Sequence, residues 1–139
     1  MQIEKRSYIE FIANVHKYHQ YEIIASNKLE QYFKTKHISY NDDKYYDIQL
    51  ANGLLIEVKY DNCFNKYDTI LIECCREKPS GISTTIANYW VIVNDTNQYY
   101  LIDTFLLKGI CKNSSIKKLK YSYVYLIPKQ TFIDSSILI

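Results

Sequence analysis

Glycine and proline are scarce in this chain of 139 residues, at three and two respectively, so no Gly- or Pro-rich linker divides it. A single domain over residues 1–139 is expected, long enough for one core and too short for two. Long apolar runs are also missing: no stretch approaches the roughly 18 consecutive apolar residues of a membrane span. The first residues, Met1-Gln2-Ile3-Glu4-Lys5-Arg6, lack the apolar core of a signal peptide. Cysteine is present but unpatterned. Cys63, Cys74, Cys75 and Cys111 form no Cys-x-x-Cys pair and match no histidine spacing, which argues against zinc. Adjacent Cys74 and Cys75 in a strand would face opposite sides, so buried free thiols are expected. The expected location is cytoplasmic, or the equivalent intracellular compartment of a virus host. The whole-chain charge of +2 is too small to indicate any partner.

Periodicity gives the order of elements. Helix is expected from Ser7 to about Phe33, as one long helix or two shorter ones, where apolar residues recur at imperfect spacings of three and four. Tyr45–Leu50 and Leu54–Tyr60 read as a hairpin, and Asp68–Cys75 as a third strand. Lys78-Pro79-Ser80-Gly81 breaks the chain before a short helix from about Ile82 to Asn88. Strands over Tyr89–Val93 and Tyr99–Asp103 flank a turn at Asn94–Asn97. A helix over Phe105–Ile110 and a last strand over Tyr121–Ile127, stopped by Pro128, complete the pattern. The fold class is α/β or α+β, with a mixed central sheet flanked by helices.

The hairpin is where chemistry concentrates. Along its second strand Leu54, Ile56, Val58 and Tyr60 fall on one face, and Leu55, Glu57 and Lys59 on the other. A two-residue Asn52-Gly53 turn would set Ile48 against Glu57, mixing apolar and charged faces. A three-residue loop, Ala51-Asn52-Gly53 with Gly53 left-handed, pairs Leu50 with Leu54, Ile48 with Ile56, and Asp47 with Glu57. Apolar pattern decides register, so the three-residue loop is expected. Two opposed carboxylates repel, unless a hard divalent cation with oxygen ligands sits between them; magnesium is the expected ion. Lys59, two residues beyond Glu57, is the cation that phosphodiester hydrolysis would need beside it. The alternative is a solvated hairpin face on which Lys59 only neutralises Glu57.

These residues resemble a known family. An acid on one strand and Glu57-Val58-Lys59 on the next are similar to the signature of the PD-(D/E)xK nuclease superfamily, especially its small phage and archaeal Holliday-junction-resolvase-like enzymes. The segments Ile72-Glu73, Pro79–Trp90 and Leu126-Ile127-Pro128-Lys129 resemble theirs in order and spacing. The residue before Asp47 is Tyr46, where the family signature has proline. The resemblance covers about Glu22 to Pro128. It implies a restriction-endonuclease-like core of helix, three-stranded meander, helix and strand. It also implies that Asp47, Glu57 and the Val58 carbonyl hold magnesium, with manganese able to substitute. Lys59 would then orient the attacking water or stabilise transition-state charge. Glu22, on the first helix, matches the glutamate that faces such a site; Glu10 and Glu30 are weaker rivals, and Glu73 could approach from the third strand. Thr84 and Thr85 resemble polar positions from which a hydroxyl reaches phosphate.

Local charge points to nucleic acid. From Thr104 to Ile133 there are six lysines and no acid, while the remainder carries 11 basic and 15 acidic groups. Lys117, Lys118 and Lys120 are the expected contacts to DNA phosphates. Tyr121, Tyr123 and Tyr125 alternate there and could line one face of a strand; packed or half-exposed strand residues are the commoner reading, and stacking on unpaired bases is the alternative. His16 and His19 read as a solvated helix face, His37 receives no role, and Asp42-Asp43 read as turn residues. The expected activity is metal-dependent DNA hydrolysis, by an endonuclease acting on branched or structured DNA. Junction cleavage would call for a homodimer. The alternative is a catalytically silent DNA-binding or interaction protein that keeps the nuclease fold.

Overall fold

The computed structural model describes residues 20–41 and 45–139. The N-terminal part of the expected first helix, with Glu10, His16 and His19, lies outside the described residues, as do Asp42 and Asp43. Residues 20–33 are helical (α1), and Lys34 follows in the left-handed conformation at φ 53°. Four strands come next: β1 (His37–Tyr40), β2 (Ile48–Leu50), β3 (Leu55–Asp61) and β4 (Thr69–Cys75). A 3-10 turn at Gly81–Ser83 leads to β5 (Tyr89–Asn94) and β6 (Tyr99–Asp103). The chain ends with α2 (Thr104–Lys112), β7 (Ser115–Lys118), β8 (Tyr123–Pro128), α3 (Lys129–Ser135) and β9 (Ile137–Leu138). The class is mixed α and β, as expected.

Two sheets form. The larger has the strand order β1-β2-β3-β5-β6-β9, and it is mixed because β3 and β5 run parallel. The smaller is antiparallel, in the order β4-β8-β7. β5 is the spine. Its sequence Tyr-Trp-Val-Ile-Val-Asn is buried along nearly its whole length, as befits a strand covered on both faces. On one face Val91 and Val93 join Ile48, Leu50 and Ile56 beneath Ala25 and Leu29 of α1. On the other, Trp90 and Ile92 pack with Ile70 and Ile72 of β4, Ile127 of β8 and Phe132 of α3. The layers are therefore α1, the large sheet, and then the small sheet with α2 and α3.

The hairpin has the register that its apolar pattern requires. Ile48 pairs with Ile56, Gln49 with Leu55, and the Leu50 N–H donates to the Leu54 carbonyl at 2.9 Å. Gly53 takes φ 89°, the conformation that this three-residue loop needs.

Two expectations are corrected. The strand Asp68–Cys75 was to be the third of the meander, but β4 joins the small sheet, and the antiparallel run β1-β2-β3 forms one strand earlier. Burial explains this. Ile70, Ile72 and Cys74 are covered while Thr69 and Leu71 are exposed, and a place beside β3 demands that both faces be covered. β5 satisfies that demand and takes the place. The helix expected over Ile82–Asn88 is reduced to the 3-10 turn, because the backbone that follows bonds to other segments. Ile86 N–H donates to the Tyr45 carbonyl and Asn88 N–H to the Leu55 carbonyl. β1, β7, α3 and β9 are elements that the pattern did not indicate.

Gly81 sits where β4 and this turn touch. Its φ is 54°, and a Cβ there would run into the carbonyl oxygen of Glu73. Gly53 has a positive φ but open space around it. Gly53→Ala should therefore cost only the left-handed strain of about 1–2 kcal/mol. Gly81→Ala adds a steric clash and should cost about 3 kcal/mol or more, the sum of strain and overpacking. Urea unfolding of both variants checks the order; equal losses would mean that Gly81 is not held against β4.

Candidate functional site

Glu57 lies in the middle of β3, beside Trp90 of β5, on the face turned towards the small sheet. It is 6% exposed, an unusual position for a carboxylate. One oxygen, Oε1, lies 3.1 Å from Lys59 Nζ. The other, Oε2, is buried without a hydrogen-bond partner. A buried acceptor left unmade costs about 1–3 kcal/mol, so this atom marks a place where something polar is wanted.

Asp47 reaches the same place from the end of β2. Its N–H donates to the Ile56 carbonyl at 2.8 Å, although Ile48 is the register partner of Ile56. Two successive residues thus face one, the arrangement of a β-bulge, which redirects the side chain at a strand end. The Asp47 carboxylate accepts the Val58 N–H at 2.7 Å through Oδ2. In a strand the N–H and C=O of one residue point the same way, so the Val58 carbonyl is directed to the side on which Asp47 sits. Asp47, the Val58 backbone and Glu57 are gathered as the sequence led one to expect, although the bulge replaces a direct cross-strand opposition.

The electrostatics follow from burial. The Glu57 carboxyl is pushed from 4.5 up to about 7, chiefly because its charged form loses water. Lys59 pulls it down, the Asp47 charge pushes it up, and Glu22 adds a weaker push. Glu22 thus lies within electrostatic reach. It belongs, however, to α1, which covers the opposite face of the sheet. The stacked rings of Tyr21 and Tyr60, with centroids 4.5 Å apart, hold that end of the described helix against the end of β3.

Other candidates are placed elsewhere or bound already. Glu73 is half-buried on β4, where its carboxylate takes Arg76 Nε at 3.0 Å and the Ser80 hydroxyl at 3.0 Å. Thr84 ends the 3-10 turn. The Thr85 hydroxyl donates to the Tyr45 carbonyl at 3.2 Å, so it holds the segment leading to Asp47. His37 has a partner the sequence did not suggest, since Ser26 Oγ lies 2.7 Å from its Nδ1. Ser26 is 1% exposed, and Glu30 bonds to the backbone N–H of His37, so this pair fastens α1 to β1. All four cysteines are free; Cys74 and Cys111 are buried, Cys63 and Cys75 half-buried.

A cleft of about 680 Å³ opens beside Glu57, where the two sheets meet. It is lined by Lys59 of β3 and Trp90 of β5, by Tyr67 and Arg76 from the segments on either side of β4, and by Lys117 of β7. Of the three lysines expected to meet DNA, Lys117 is thus brought to the site. Lys118 and Lys120 lie over the rings of Tyr123 and Tyr121 instead. Lys129, from the same basic stretch, donates inward to the Phe64 carbonyl at 2.9 Å. Arg76 was missed in the sequence; it follows β4 in a turn, with no spacing to relate it to Glu57.

Among the described residues, no group of three or more His, Cys, Asp or Glu side chains is placed to hold a metal ion. The donors at hand are two carboxylates and a backbone carbonyl. The partnerless Glu57 Oε2 is the feature that fits a hard cation. Among the described residues no helix is long and apolar enough to cross a membrane. Compared with known protein families and with curated proteins, the chain matches none of them.

The raised Glu57 pKa predicts how the metal-free protein responds to pH. A carboxyl raised on folding holds its proton more tightly in the folded state than in the unfolded one. Its contribution is therefore complete below pH 4.5, declines as pH rises towards about 7, and is lost above. The loss is on the order of 3 kcal/mol at 1.36 kcal/mol per pH unit. Glu57→Gln should remove this decline and be more stable than the wild type at pH 8. Urea midpoints between pH 4.5 and 8 test it; parallel curves would show that Glu57 does not titrate as its burial demands.

Proposed function

We propose that the protein is a metal-dependent DNA nuclease of the PD-(D/E)xK kind, an endonuclease for branched or structured DNA. The observation that carries the reading is the buried Glu57, with one oxygen on Lys59, the other without a partner, and the Asp47 carboxylate on the next backbone amide. Stability alone gives no reason to leave a carboxylate oxygen orphaned in a core beside a second acid. The order of elements agrees with the reading. α1 precedes the antiparallel run β1-β2-β3, the acid stands just before β2, Glu-x-Lys lies in β3, and β5 runs parallel beside it.

Asp47, Glu57 and the Val58 carbonyl would hold magnesium, or manganese in its place. A divalent ion bound there would polarise a phosphate oxygen and lower the pKa of a bound water. The residues of the chain supply the rest. Burial keeps competing water from Glu57 and strengthens every charge around it. Lys59, whose side chain is 51% exposed, can leave Glu57 for a phosphate oxygen and offset the charge that develops there. Glu22 contributes negative potential from the helix layer and would complete the charge balance of a second cation or its water shell. Lys117, Lys118 and Lys120 stand on or beside the exposed edge strand β7, where a phosphate backbone can reach them. A second copy, if junctions are the substrate, would cover exposed Ile38 on edge strand β1 or Ile137 and Leu138 on edge strand β9.

The silent DNA-binding reading has one observation in its favour: among the described residues, no group of three or more acidic, histidine or cysteine side chains is placed to hold a metal ion. One experiment separates the two. The protein is incubated with magnesium or manganese and duplex, single-stranded, flap and four-way-junction DNA. Cleavage that requires the metal is expected, and Asp47→Ala and Lys59→Ala should each lower it about 10²–10³-fold. Magnesium should also raise the melting temperature of the wild type and not that of Asp47→Ala. DNA binding without cleavage under either metal, and without a thermal shift, would establish the silent reading.

A further inference from the structure

The cleft beside Glu57 says which form of DNA the site takes, an inference that rests on the nuclease reading for its choice of polymer. We infer that the cleft receives one unpaired strand, with a base stacked on Tyr67 and the backbone held by Lys117. Size is the first argument. A volume of about 680 Å³ is that of a pocket for a drug-sized molecule. It accommodates about one or two nucleotides and not the two strands of a helix.

Chemistry is the second argument. Sites that take single strands combine cations along the backbone with aromatic rings on which bases stack. Tyr67, in the loop between β3 and β4, lines the cleft and is 53% exposed, with Lys66 Nζ 5.4 Å from its ring centroid. Lys117 of β7 is exposed, lines the same cleft and has no acidic partner among the described residues. Two acids also line the cleft, and both are engaged. Asp61 accepts the Cys63 N–H at 2.9 Å, and Glu73 is held by Arg76 and Ser80. Of the cations in the lining, Lys59 is paired with Glu57 and Arg76 with Glu73, so Lys117 is the one that a phosphate meets without displacing a carboxylate.

A third observation points to a ligand independently of charge. Trp90 lines the cleft, is 1% exposed, and carries a buried Nε1–H with no hydrogen-bond partner. Its strand neighbour Glu57 carries the buried acceptor without a partner. An unmet donor in the cleft lining, with an unmet acceptor on the strand beside it, suits an occupant that has acceptors and donors of its own. Nucleobases and sugars have both.

Fluorescence anisotropy in EDTA tests the inference without any cleavage, with a labelled twelve-residue oligothymidylate against a 20-base-pair duplex. The single strand should bind at least about tenfold more tightly. Tyr67→Ala should weaken it about tenfold, the scale of one lost base stack. Tyr67→Phe, which keeps the ring, should stay within about twofold of the wild type. Lys117→Ala should lower the slope of log affinity against log salt by about 0.7, one phosphate contact on a single strand. Equal affinity for duplex, or Tyr67→Ala binding like the wild type, would overturn the inference. Metal-dependent cleavage of duplex by such a protein would leave the nuclease reading standing, whereas the expected binding without cleavage would do the reverse.

Discussion

Everything at the site depends on where one carboxylate was put. Glu57 occupies a position in β3 that the neighbouring strand fills with tryptophan, and it is nearly as buried as that residue. A charge there is opposed by desolvation, which a single lysine at 3.1 Å does not fully offset, because the carboxyl still rises to about 7. The fold tolerates this through its other interactions. β5 is buried on both faces, so the sheet around Glu57 is held by Val91 and Val93 on one side and by Trp90 and Ile92 on the other. A rigid sheet cannot relax to release the carboxylate to water, and that rigidity is what would make the position useful to a bound cation.

The site belongs to one layer, and the cleft beside it is shared by two. Asp47, Glu57 and Lys59 come from the large sheet, whereas Arg76, Glu73 and Lys117 come from the small sheet or its margins. The small sheet exists because β4 left the position beside β3. With β4 in the small sheet, Leu71 and Glu73 line the same cleft as Lys59 of β3. Gly81 and the Ser80 hydroxyl then fix the far side of β4 by contact with Glu73. The topology that departs from the expected meander is thus the source of the surface beside the carboxylates.

Much of the hairpin was legible in the sequence, because its constraints are local. Alternation assigned Leu54, Ile56, Val58 and Tyr60 to one face, and the conflict of Ile48 with Glu57 excluded the shorter turn. Gly53 then had one position to fill, and it fills it at φ 89°. The bulge at Asp47 was not legible, since it arises from β1 and β3 competing for the backbone beyond Ile48: Asn41 N–H takes the Asp47 carbonyl while Asp47 N–H takes that of Ile56. β4 illustrates the same limit. Its alternation showed that one face is buried, and nothing local says against which sheet. Ser115–Lys118 is exposed throughout, so β7 carries no apolar signal and is defined only by its pairing with β8.

The separation of layers also bears on how the lysine-rich C-terminal third should be understood. As a sequence it is a block of positive charge, and a block suggests a broad surface for a duplex. The fold takes it apart. Lys129 turns inward to Phe64, Lys118 and Lys120 lie on tyrosine rings, and Lys108 and Lys112 ride on α2. Lys117 alone of the six lines the cleft beside Lys59. One cation beside an exposed tyrosine is too little to neutralise the many phosphates of a long duplex site, whose affinity scales with the number of contacts. On the proposed nuclease reading it would suffice to seat one strand where stacking supplies the rest, so the dispersal of the lysines suits a short, unpaired stretch better than a long duplex.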